Sequence, residues 1–126
     1  MRTWQTDELD STPHKPEILS SGDVARVIAI ALPAGESLSD HEVHEHAWLV
    51  VVSGEVEVSA GDDSARGGPG LVAEFGPQER HEVHAVSDSH VVLVLAPWPG
   101  DGHPGAMSLD DKASARERAR ERAERA

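Results

Sequence analysis

The chain has 126 residues, a mass of 13.5 kDa, a formal net charge of −12 and a sequence pI near 4.9, enough for one domain with a real core and too little for two. That charge argues against nucleic acid and anionic membranes as partners, and the absence of cysteine excludes disulfides, thiolate metal sites and cysteine nucleophiles. No apolar run approaches the length of a membrane span, and the N-terminal MRTWQTDELD lacks the apolar core of an export signal, so a soluble cytoplasmic protein is expected.

Residues 1–16 are polar, carry Pro13 and Pro16, and form an N-terminal arm with Trp4 as its anchor. A β domain over 17–100 follows. Val24 to Leu32, VARVIAIAL, is rich in β-branched and apolar residues and predicts a strand, ended by the turn Pro33-Ala34-Gly35. His46 to Val52 is the next strand; Ser53-Gly54 turns it into Glu55 to Ala60, where Val56 and Val58 alternate with acids as in a half-buried strand.

Gly61-Asp62-Asp63 and Gly67-Gly68-Pro69-Gly70 are loops. Leu71 to Phe75 is a short strand broken by Gly76-Pro77. His81 to Val86 precedes a turn at Asp88-Ser89, and His90 to Ala96 is apolar enough to be buried on both faces. Short strands with regular turn signals mean a sandwich or small barrel, an all-β fold. Residues 101–126 divide into a Gly/Pro linker and a charged C-terminal helix capped by Ser108, with Ala115, Ala119 and Ala123 as its only apolar stripe.

The chemistry sits in two segments that share the tetrapeptide His-Glu-Val-His, at 41–44 and again at 81–84. The first continues through His46 into the apolar run Trp48 to Val52. On a strand, side chains two apart share a face, so His-x-His aims two imidazoles together and a neighbouring strand can add a third. Three ligands with open positions are what a catalytic metal needs. His41-Glu42-Val43-His44 is not a zinc-protease motif, since the second His comes one residue early and the segment is not helical. The glycine cluster lacks the lysine of a phosphate loop, Asp62-Asp63 lacks the rest of a calcium loop, and no serine sits in a nucleophile elbow. Glu74 is expected to face solvent. Glu79 and Arg80 are expected at the loop surface, at the barrel mouth where a substrate contact is open to them.

The stretch from Gly35 to Ala85 resembles the paired motifs of the cupin superfamily, whose fold is a double-stranded β-helix or jelly-roll barrel. The first cupin motif reads Gly, five residues, His, one residue, His, three or four residues, Glu, six residues, Gly; Gly35, His41 and Gly54 fall on it. In the second, Gly70 and His81 fall in place, and Gly76-Pro77 is shifted by one from the family's proline. The family's second His is Val43 here, its Glu is Ala47 and its Asn is Ala85.

The resemblance implies a divalent metal (iron, manganese, nickel or zinc) with a small organic acid or phenolic compound as ligand; in gapless register only His41 and His81 remain of the family's usual four ligands, and with the nearby His44 and His46 they make up the candidate metal set. A bulge between His41 and His44 would turn His44 and His46 inward beside His81. Without one, His44, His46 and His84 would cluster on the outer face near Glu82. A third reading stands against both: His41 and His81 are hydrogen-bonded remnants in an apolar pocket lined by Val43, Ala47 and Leu49. Two functions stay open: a metal-dependent enzyme of oxygenase or isomerase type, or a non-enzymatic binding or sensing module with a degenerate metal site. Trp48, Val50 and Val52 share the face opposite Leu49 and Val51, so both faces of that strand are apolar. Cupins implying dimers, a homodimer is expected, with Trp48 in the interface or under the C-terminal segment, and Trp98 as a lid over the barrel end.

Overall fold

The computed structural model describes residues 1–9, 13, 15–22, 24–41 and 44–99, with 39–41 described by their backbone alone. Nine strands lie among them: β1 (Glu17–Ser21), β2 (Arg26–Leu32), β3 (Ser37–His41), β4 (His46–Ser53), β5 (Val56–Ala60), β6 (Asp63–Gly67), β7 (Val72–Phe75), β8 (His81–Ala85) and β9 (Ser89–Ala96). A 3-10 turn at Thr6–Glu8 precedes them. The expected linker and C-terminal helix, with His103, lie outside the described residues.

The strands form two antiparallel sheets, one of order β1-β2-β9-β4-β7 and one of order β3-β8-β5-β6. Each contributes one apolar face, because residues two apart on a strand share a side. Ile30, Leu32, Leu49, Val51, Val91, Leu93 and Leu95 come from the first sheet and Val56, Val58, Val83 and Ala85 from the second; all are buried against one another. Backbone bonds just beyond the strand ends extend the pairings of the second sheet: Gly35 N donates to Ala85 O at 2.8 Å beside β3 and β8, and Val86 N to Glu55 O at 2.8 Å beside β8 and β5. The all-β expectation is met. Among the described residues no helix is long and apolar enough to cross a membrane.

Three strands were not expected from the residue pattern, β1, β3 and β6. In β6, Asp63 to Arg66 are all exposed, which fits an edge strand that pairs on one side only. Gly54 makes the turn between β4 and β5 possible. Its φ is +79°, and a Cβ there would collide with Asp88 O and Ser89 Oγ. Ser89 is itself buried, its hydroxyl donating to Ser87 O at 2.7 Å and Glu55 O at 3.2 Å. Trp98 packs against the core edge beneath the Arg26 guanidinium, 3.9 Å from the ring centroid. Trp4 is 40 % exposed, so it does not anchor the arm by burial.

Candidate functional site

The two histidine-bearing segments meet at one end of the space between the sheets. β3 and β8 are antiparallel neighbours, with Leu38 opposite Val83 and His41 opposite His81. Three steps on β3 thus match two on β8, so a bulge lies between Leu38 and His41. The expected bulge was downstream of His41. The observed one lies upstream, and it sets residue 41 rather than Asp40 opposite His81.

His81 is 5 % exposed and faces inward with Val83 and Ala85. Its ring stacks on Phe75, with centroids 4.0 Å apart and planes at 9°. Its Nδ1 lies 3.1 Å from the carbonyl oxygen of Glu79. A carbonyl only accepts, so Nδ1 carries the proton in that bond, and Nε2 is the acceptor nitrogen of the neutral ring. Phe75 in turn stands opposite Ala47 of β4.

Glu45, unremarked in the residue pattern, belongs to this interior. It is 1 % exposed and stands two residues before Ala47, on the side of β4 that continues through Leu49 and Val51. The signal was available: the alternation that sends Ala47 and Leu49 inward extends one step back to Glu45.

His46 takes the other side. It stacks on Trp48 (centroids 4.6 Å, planes at 14°), and its Nε2 lies 3.4 Å from Glu74 Oε1, near enough for an ion pair when protonated but outside hydrogen-bond geometry. Trp48 Nε1 donates to Glu74 Oε2 at 2.6 Å. Glu74 is therefore exposed, as expected, but engaged by the indole. His44 is half-buried in the bend between β3 and β4. His84 is exposed on the outer face of the second sheet, its Nδ1 2.7 Å from Ser37 Oγ. The outer-face cluster of His46 with His84 does not form, because the two residues lie on opposite outer faces of the sandwich. His90 pairs with Ser53 Oγ at 3.0 Å through Nδ1.

A cavity of about 200 Å³ opens between the sheets where β6 faces β7. Val58, Ala60, Ala65, Ala73 and Phe75 supply its apolar walls, and Asp63 and Glu79 its charged rim. Phe75 and Glu79 also hold His81, by its stack and its hydrogen bond.

A cupin-type divalent metal needs at least three ligands gathered in one place. Among the described residues no three His, Asp or Glu stand together in a way that could hold one, since His46 faces away from His81. Glu45 and His81 are the inward-facing donors whose side chains are described.

No protein-family model matches this chain, and no curated protein does. Solved structures do. An uncharacterized conserved protein with a double-stranded β-helix domain from Klebsiella pneumoniae superposes with a TM-score of 0.69 at 20 % identity, over 79 % of this chain and 93 % of its own. KdgF from Halomonas sp. gives 0.66 at 20 %, covering 76 % and 94 %. An RmlC-like cupin protein from Desulfovibrio desulfuricans gives 0.64 at 22 %, covering 76 % and 98 %. At such identities the likeness establishes the architecture, which is the one that the paired motifs imply.

Proposed function

The chain has the cupin fold, and within that frame we propose that it binds a small organic molecule in the cavity between the sheets, against Phe75. The observation that carries this is the cavity itself, about 200 Å³ with apolar walls from both sheets and a polar rim. Its size suits a metabolite smaller than a drug-like ligand. His81 stands behind Phe75 and fixes that wall, its own orientation set by the Glu79 carbonyl. It is a positioning residue in this reading. Ala65→Leu, which fills the cavity from the β6 side, abolishes binding, whereas a change on the outer face such as Val50→Lys leaves it intact. Binding that survives Ala65→Leu contradicts the proposal.

A divalent metal at the inner end is the second reading, favoured by the register that sets His41 opposite His81 and by the buried carboxylate of Glu45. Of the expected set His41, His44, His46 and His81, it dispenses with His46. Oxygenase or isomerase-type chemistry belongs to this reading alone. Elemental analysis of untagged protein beside His81→Ala decides it: a stoichiometric metal lost in the variant supports it, and a metal-free protein rejects it.

The same proposal includes a homodimer through the outer face of the five-stranded sheet. Val27, Trp48, Val50, Val92 and Val94 lie on that face, and Val52 and Val72 on it are 37 % and 57 % exposed. A chain of charge −12 repels its copies, and this face gives them an apolar place to meet.

A further inference from the structure

We propose that the molecule bound between the sheets is a small organic cation, an amine or ammonium compound with an apolar body; this rests on the cavity being the binding site. The walls and the rim point to different parts of one ligand. Val58, Ala60, Ala73 and Phe75 line the cavity and have hydrocarbon side chains, which suits a ligand with an apolar body. One face of the Phe75 ring is taken by His81, and Phe75 still lines the cavity, where an aromatic ring favours positive charge.

At the rim stand two carboxylates that come from different elements. Asp63 opens β6, and Glu79 follows β7 in the loop before β8. Glu79 is held in place, its Oε1 accepting from Gly76 N at 3.0 Å. Glu74 also lines the cavity, but its carboxylate is committed to Trp48 on the outer side. Ser59 and Ser64 complete the polar lining, and among the described residues no lysine or arginine belongs to it. Arg66, on the same strand as Asp63, is bound to Glu55. An anionic ligand would meet two carboxylates and no basic partner among the described lining residues, against a chain of charge −12. A cation meets both carboxylates and is drawn toward them by the field of the whole molecule. The organic acid that the family resemblance suggests is therefore the disfavoured ligand.

Three probes of one shape separate the outcomes: 3-methylbutylamine, 3-methylbutanol and 3-methylbutanoate, titrated into the full chain by calorimetry. The amine is expected to bind about tenfold more tightly than the alcohol, and the carboxylate most weakly. In the double variant Asp63→Asn, Glu79→Gln the amine's advantage disappears while the alcohol binds as before. Added salt shrinks the advantage in the parent protein. A carboxylate that binds as well as the amine, or an amine preference untouched in the double variant, overturns the cation assignment and leaves the cavity as a binding site. Failure of all three probes overturns both.

Discussion

His81 lies flat on Phe75, ring centroids 4.0 Å apart, and so ties the first residue of an inner strand of one sheet to the last residue of the other sheet's edge. Phe75 is 4 % exposed and is the chain's single phenylalanine. Its removal takes away one wall of the cavity and leaves His81 facing a void. Phe75→Ala is expected to cost about 3–5 kcal/mol in urea unfolding with an unchanged slope. A loss below about 1 kcal/mol would mean that the ring is not packed as described.

Two glycines with positive φ separate backbone strain from steric exclusion. Gly61, at +58°, has open space where a Cβ would point, with nothing within 4 Å, so Gly61→Ala carries only the left-handed penalty of roughly 1–2 kcal/mol. Gly54, at +79°, has Asp88 and Ser89 where that carbon would go. Gly54→Ala is expected to cost roughly 2–3 kcal/mol more than Gly61→Ala, read from denaturation midpoints of the two variants. Equal costs would show that the β4–β5 turn has room to shift.

On the second sheet, Arg66 Nε donates to Glu55 Oε1 at 2.9 Å and holds that carboxyl below the usual glutamate range, by the hydrogen bond first and by charge second. Because the folded value is depressed, the pair's contribution is present above the ordinary glutamate range and is lost as pH falls through the folded value. Both groups are exposed, so the effect on stability is small. Arg66→Ala is expected to return the Glu55 titration, followed by its carboxyl carbon resonance, to the ordinary range. A titration that does not move means the pair is not held in solution.

The proposed dimer is tested at Val50, on the outer face beside Trp48. Val50→Lys places a charge in the middle of that face while its long stem leaves the fold undisturbed. Sedimentation velocity is expected to show a dimer for the parent and a monomer for the variant, with matching circular dichroism. Two dimers, or two monomers, contradict this interface.

How much of this was legible in the residues depends on where burial writes a pattern. β2, β4, β5 and β9 bury alternate residues or more, and their periodicity gives both strand and facing. β6 and β3 are DSARG and SLSDH, polar segments that become strands because a neighbour offers hydrogen bonds, a tertiary cause with no local signal. The candidate site divides the same way. His81 sits in a strongly alternating strand, so its inward facing follows from Val83 and Ala85. His41 depends on a bulge, and one inserted residue reverses every face beyond it. His46 lies one residue from Ala47 and shares the outward side with Trp48, which a count back from the apolar run predicts; the imidazole pattern, taken as a set, obscured it. Glu45 was hidden for the opposite reason, a charged residue at a position whose parity is inward.

Methyl-resolved NMR, during titration with the amine probe, tests the binding claim most directly. Val58 and Ala60 come from one sheet and Ala73 from the other, and all three line the cavity. Binding between the sheets moves these methyl resonances together, along one saturation curve, and leaves Val50 and Val94 on the outer face in place. Shifts confined to Val50 and Val94, or none at Val58, Ala60 and Ala73, would contradict it.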